Sequence, residues 1–400
     1  MKPGVLSAVL ACALAIPAAA AELRLSGLLQ VWYTRPFGEL PVGDPAVPPN
    51  RYYHLRDEFT QDSYHVRRAE MKVAGEMGEK VSFVVMADPA IGMRSSNVLQ
   101  DAYLELRPIG RVALRAGQMK TLQTREGLAG SGSLLFAERG QVARLFGDVR
   151  DRGAVLAWTA RANEGDSLVA LAALFNGSGK DSDVNARKDA VLRLEWRRGD
   201  HSAGIYGLLG ATDRAGDAVA LILAGEDAPS ARAVLEAADR TRQLGAYCAF
   251  EHGPLRLELE ALGGSLGRRH ATLGAAAGPA RREHLDQRLL GLAASGAWTA
   301  GRHTLAARFD RLDFNWGDRF YTSFDPYRQS APDVAREGDF TPVFTEASLG
   351  WSFALDRDQP DAAKLQATYV RRSRNILRPP PGEAGARGGD SLVLVFQASF

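Results

Sequence analysis

The chain has 400 residues, 46% of them hydrophobic and 24% charged, with a mean hydropathy of −0.18. Lys and Arg total 49 against 47 Asp and Glu, which excludes both a disordered polyanion and a strongly basic nucleic-acid-binding domain. Past the first 21 residues, no run stays apolar for the roughly 18 positions that a helical membrane span requires.

The N-terminus carries Lys2, an apolar run from Val5 to Ile16, then Pro17 and Ala19-Ala20-Ala21. This is the layout of a secretory signal peptide, so residues 1–21 are expected to be removed and Glu22 to begin the mature chain. Cys12 inside the apolar run leaves a lipid-anchored start as the alternative. Without Cys12, Cys248 stands alone and no intrachain disulfide can hold the exported chain together.

From Glu22 to Phe400 the dominant pattern is alternation of period two, the mark of half-buried strands. In 22–33, Leu23, Leu25, Leu29, Val31 and Tyr33 share one face, with Arg24, Ser26 and Gln30 on the other. Strands follow at 64–77, 80–88, 98–107, 111–118, 147–160, 165–176, 188–198, 201–212, 241–250, 254–263, 287–298, 302–313, 343–354 and 364–373. A last strand, alternating through Leu392, Leu394, Phe396, Ala398 and Phe400, brings the total to sixteen. The apolar run 217–224 is the one place where a further strand could enter; it is placed here within a long connection.

The connections alternate long and short. Gly78-Glu79, Gly199-Asp200 and Glu251-His252-Gly253 are tight, whereas 34–63, 119–146, 213–240 and 314–342 are long. An even number of strands with every long connection at one end is the signature of an outer-membrane barrel, and closure pairs all backbone groups without water. The expected fold is therefore all-β: a single domain over 22–400, forming a 16-stranded antiparallel transmembrane β-barrel.

With the more apolar parity facing lipid, the lumen receives Arg24, Arg68, Lys72, Arg107, Arg111, Arg115, Arg193, Arg197, Arg256 and Arg308. Its acids are Glu70, Asp101, Glu105, Glu195, Glu258, Glu260 and Asp310, leaving a net +3. Strand 147–160 stays unassigned, because Val155 and Ala157 compete with Leu156 and Trp158. Arg67 falls on the lipid-facing parity near the external rim, where it is expected to meet lipopolysaccharide phosphates. Segment 119–146 is rich in charge and glycine. It holds Lys120, Arg125, Arg139 and Arg144 against Glu126 and Glu138, with Gly127, Gly130, Gly132 and Gly140 for tight turns.

Several segments, in order, resemble the phosphate-selective porin family, of the porin O and P type. They include Val66-Arg67-Arg68-Ala69-Glu70-Met71, Gln100-Asp101-Ala102-Tyr103-Leu104 and Leu114-Arg115-Ala116-Gly117-Gln118-Met119-Lys120. Arg125-Glu126-Gly127-Leu128, Phe136-Ala137-Glu138-Arg139 and Gly147-Asp148-Val149-Arg150-Asp151-Arg152-Gly153 continue the series, which closes near Leu349-Gly350-Trp351-Ser352-Phe353. The resemblance implies a homotrimeric outer-membrane porin with its third external loop, here 119–146, folded into the lumen. It also implies passage of small anionic or hydrophilic solutes, phosphate among them, along basic side chains. Arg68, Arg115, Lys120, Arg125, Arg139 and Arg144 are the candidates for that pathway. Two departures stand out: seven lysines cannot make a lysine ladder, and Thr121-Leu122-Gln123 stands where Thr-Pro-Phe is usual.

The terminal Phe400, sharing a face with Phe396 and Ala398, resembles the last strand read by the barrel-assembly machinery. The rings of 314–342 (Phe314, Trp316, Tyr321, Phe324 and Tyr327) leave a saccharide-type porin as an alternative. An adhesion or receptor barrel acting through 34–63 and 314–342 is another. No enzyme, cofactor, metal or nucleic-acid partner is implied: the seven histidines are scattered, and His54 with Asp57 and Glu58 is the nearest approach to a catalytic cluster.

Overall fold

A computed structural model describes residues 21–37, 62–93, 97–163, 165–180, 183, 187–212, 239–271, 282–313, 316, 343–372 and 390–400. Sixteen strands run through them. The first eight are β1 (Ala21–Phe37), β2 (Ser63–Met77), β3 (Val81–Ala87), β4 (Leu99–Ile109), β5 (Val112–Lys120), β6 (Arg150–Asn163), β7 (Asp166–Phe175) and β8 (Asp189–Arg198). The others are β9 (His201–Thr212), β10 (Asp239–His252), β11 (Leu255–Ala271), β12 (Arg282–Ala300), β13 (His303–Asp313), β14 (Val343–Ala354), β15 (Ala363–Arg372) and β16 (Asp390–Ser399).

Each strand pairs antiparallel with its sequence neighbours, and β1 pairs with β16 to close the barrel. Phe400 completes the seam through two backbone hydrogen bonds with Gly27, at 2.8 and 3.1 Å. Because β9 pairs directly with β10, no strand stands between them in the closed order. The run 217–224, like residues 1–20, lies outside the described residues. The short connections, including 355–362, all fall at one end and the long ones at the other.

Parity follows from the pleat. Leu25, Leu104, Leu174, Leu192, Leu259 and Leu349 are exposed on the outer face, while Arg68, Glu195, Arg308 and Glu346 alternate inward and are buried. Strand β6 resolves in the same way: Val155 is buried inside, and Leu156 and Trp158 face out. Strands β11 and β12 outrun the expected 254–263 and 287–298, pairing as far as Ala271↔Arg282. Their tips, Arg268-Arg269-His270 among them, lack an apolar face, so hydropathy alternation could not reveal them.

One inward assignment corrects the sequence expectation. The register of β1 on β2 slips between Gln30 and Val31, so that Gln30 faces Arg68 and Val31 faces Val66. Arg67 is the extra residue of this bulge, and a bulge re-aims its side chain. Arg67 therefore leaves the lipid face, stacks 5.3 Å from the Trp32 ring centroid and pairs with Glu138 at 2.5 Å. It cannot be a rim ligand for lipopolysaccharide.

The core lies inside the barrel. Residues 121–149 form two short helices, α1 (Arg125–Leu128) and α2 (Gln141–Phe146), with a 3-10 turn at Ser131–Ser133 between them. Val142 and Phe146 of α2 pack with Tyr206, Tyr247, Leu262, Leu289, Leu312 and Phe344. Leu122 packs with Met119, Val155, Phe175, Val191 and Leu208. Ala137 meets Trp32, Val393 and Val395, and Phe136 meets Ala297 and Ala306. The inner wall is thus polar only in part, with its apolar patches seating this segment.

Candidate functional site

Segment 121–149 leaves β5 by an unusual backbone. Leu122 has φ +65° and Thr124 φ +40°, conformations that cost L-residues about 1–2 kcal/mol each. Burial of the Leu122 side chain, and the Arg193 guanidinium donating to its carbonyl at 3.2 Å, hold the first of them. A proline, fixed near −65°, could not adopt this backbone at position 122. Thr124 then caps α1, its Oγ1 accepting the Gly127 N–H at 3.1 Å, while Glu260 accepts the Arg125 N–H at 3.0 Å. Gly127 and Gly147 come so close that a Cβ on either would collide with the other's backbone.

The middle of the segment is fastened to the opposite wall. The Thr368 hydroxyl accepts from Ala137 N–H at 3.0 Å, and the amides of Gln366 and Gln397 donate to the carbonyls of Leu134 and Gly132 at 3.0 and 2.9 Å. Contacts therefore reach β1, β2, β8, β11 and β13 to β16, around most of the closed order.

Charge is organised around carboxylates that each hold several cations. Glu138 takes Arg68 at 2.8 Å as well as Arg67, with Arg139 at 3.9 Å. Glu346, wholly buried, takes Arg144 at 2.9 Å and both Arg308 and Arg372 at 3.2 Å. Asp148 takes Lys120 and Arg139 at 3.2 Å and Arg150 at 3.7 Å. Burial alone would push the Asp148 carboxyl up, but Arg139, Lys120 and Arg150 outweigh it and hold it below the usual carboxylate range. For Arg144, burial works against the charge, yet Glu346 and Glu138 raise its pKa above the ordinary arginine value. Arg308 links the hubs, reaching Glu126 at 2.8 Å and Asp310 at 2.9 Å beneath the Phe136 ring.

The six arginine and lysine candidates do not form one cluster. Arg68 and Arg139 are buried around Glu138; Lys120 joins Arg139 on Asp148; Arg144 is on Glu346; and Arg125 is 3.5 Å from Glu258. Lys120 also donates to the carbonyls of Gly127 and Ala129, at 2.6 and 3.1 Å. Of the six, Arg115 is the most open to the lumen. Sequence reasoning missed Glu346 and Arg372, although the parity of their strands places them inward with Ser348 and Thr368. It also missed Asp148 and Arg150, which lie at the segment's return to β6 and follow no strand alternation.

Nearer the short turns the same motif is open to solvent. Glu105 is bound by Arg107 at 2.8 Å and Arg115 at 2.7 Å; the side chain of Glu105 is 10% exposed, those of the arginines 51% and 34%. Glu195 is bound by Arg193, by Arg197 and by the Tyr247 hydroxyl; it is 9% exposed and Arg197 60%. In both, the carboxylate is covered and guanidinium faces the water.

Comparison with known proteins finds the same barrel. The family model "Phosphate-selective porin O and P" matches residues 51–219. No curated protein matches the sequence. The outer membrane channel DcaP of Acinetobacter baumannii superposes with a TM-score of 0.56 at 12% identity, covering 96% of this chain and 99% of that one. The trimer form of OmpT from Vibrio cholerae gives 0.53 at 11%, covering 95% and 100%. An anion-selective porin from Comamonas acidovorans gives 0.52 at 10%, with the same coverage. At these identities the structures establish the shared barrel alone. Residues 51–219 thus match the phosphate-selective porin O and P family, and the described strands close as the sixteen-stranded barrel that bacterial outer-membrane channels share.

Proposed function

We propose that the protein is a passive channel for small hydrophilic solutes that prefers anions, phosphate or a similar oxyanion among them. One observation carries the reading: at Glu105 and Glu195 two guanidiniums share one covered carboxylate, so the lumen wall presents net positive charge to water. Guanidinium binds oxyanions bidentately, and charge in a narrow, low-dielectric passage acts more strongly than in bulk. Segment 121–149 is the constriction. Arg125, Arg139 and Arg144 within it, with Arg68 of β2 and Lys120 of β5, hold the segment in place, and Arg115 with Arg107 and Arg197 meets the solute.

The channel works as a homotrimer, as the solved OmpT does in its trimer form. It is exported by the signal peptide 1–21 and inserted by the barrel-assembly machinery through the exposed Phe400. The rings of 314–342 other than Trp316, and loop 38–61, lie outside the described residues, and nothing in the described lumen favours saccharides or adhesion. The test is competition: phosphate added to a chloride bath should lower single-channel chloride current saturably, and less so in Arg107→Gln/Arg115→Gln. Chloride current indifferent to phosphate would reject the oxyanion reading.

A further inference from the structure

Among the described residues only Leu122 and Thr124, glycines apart, take a positive φ, and they stand together at the entry of segment 121–149. Strain of this kind persists only where the surroundings over-determine the backbone. Three grips from the wall do so here. The Arg193 guanidinium of β8 donates to the Leu122 carbonyl, Gln243 of β10 accepts from the Gln123 amide, and Glu260 of β11 accepts the Arg125 N–H.

Two buried tyrosines stand behind the charged grips. Tyr206 of β9 is opposite Gly245 of β10, and Tyr247 of β10 is opposite Gly204 of β9. Each ring covers the glycine it faces: a Cβ on Gly204 would stand 2.6 Å from the Tyr247 ring, and one on Gly245 would collide with the Tyr206 ring. The two phenols therefore reach in opposite directions around the wall. The Tyr206 hydroxyl passes over β10 and donates to Glu260 at 2.9 Å. The Tyr247 hydroxyl passes over β9, donates to Glu195 and accepts from Arg193 at 2.8 Å. Arg193 also joins the two halves, 4.8 Å from the Tyr247 ring centroid and 5.8 Å from that of Tyr206.

We propose that Tyr206 and Tyr247 are positioning residues of the channel. Acting through Glu260 and Arg193, they latch the strained entry 122–125 to the wall, so that the passage keeps one width. The inference rests on the reading of segment 121–149 as the constriction. The hydroxyls carry it rather than the rings, because each ends on a group that also holds the entry backbone. Without them Leu122 and Thr124 relax toward ordinary negative φ, and the entry leaves the wall while Phe146 keeps α2 seated.

The test compares the purified full barrel with Tyr206→Phe/Tyr247→Phe, which removes both hydroxyls and keeps both rings. Amide hydrogen exchange over 121–129 reads the latch, and single-channel recording in a planar bilayer reads the passage. In the variant, exchange over 121–129 should quicken by about tenfold, the loss expected for hydrogen bonds to charged groups. Exchange in β8 to β11 and heat resistance should stay as they are, while the time spent in subconductance states rises by about the same factor. Unchanged exchange over 121–129 overturns the proposal. So does faster exchange spread equally over β8 to β11, which would make the tyrosines packing of the wall. Should the double variant fail to fold, Tyr206→Phe alone carries the same test, with a rise of about threefold. Faster local exchange with an unaltered current would keep the latch and reject segment 121–149 as the constriction, so the two readings fail separately.

Discussion

Glu346 is surrounded by three guanidiniums and has no exposed surface, so its charge is fully committed. Glu346→Gln leaves Arg144, Arg308 and Arg372 short of a counter-ion in the interior, and should cost about 3–5 kcal/mol in denaturant unfolding. Glu105→Gln, beside arginines that water already solvates, should cost about 1 kcal/mol or less in the same assay. Asp148 adds a pH dependence of defined sign. Its folded-state pKa lies below the unfolded value of about 3.9, so its contribution is present above that pH and is lost as pH falls through the folded value. Thermal stability should therefore be level from neutrality down to about pH 4 and decline below it, the decline being shallower in Asp148→Asn. At this scale the sequence was least informative. Arg67 and Arg68 are adjacent and chemically alike, and only a bulge, which no alternation signals, sends both inward.

At the scale of elements, the strands were legible because each side of the wall has its own solvent. Leu192, Leu194 and Trp196 against Arg193, Glu195 and Arg197 is the pattern that one apolar and one polar face of a strand produce. Strand β6 resisted for a physical reason. Val155 sits inward because segment 121–149 covers it with Leu122, so at that height both faces of the strand are apolar. The docking of that segment is equally a matter of packing. Phe146 of α2 is buried in one cluster with Tyr206, Leu262 and Phe344, residues far apart in sequence, and no local signal announces their meeting. Phe146→Ala should remove about 3–5 kcal/mol of packing. With the barrel itself hydrogen-bonded around its full circumference, the expected consequence is local. Single-channel conductance should rise or become noisy while heat-resistant β-structure persists; unchanged conductance would mean that the segment does not set the passage.

For the molecule as a whole, the near-equality of 49 basic and 47 acidic residues conceals where the charges stand. Acids are used as hubs, buried at Glu138 and Glu346 and half-buried at Asp148, and each gathers three cations. Nearer the short turns the same grouping turns guanidinium toward the lumen. The ordinary mean hydropathy has the same origin: only alternate strand residues need be apolar, and the remainder is wetted by the lumen. The central claim is that this distribution gives the channel its sign. The direct measurement is the zero-current potential of the reconstituted protein in a planar bilayer under a potassium chloride gradient. The potential should take the sign of chloride selectivity and move toward the potassium side in Arg107→Glu/Arg115→Glu. A potassium-selective potential in the unmodified channel would contradict the account.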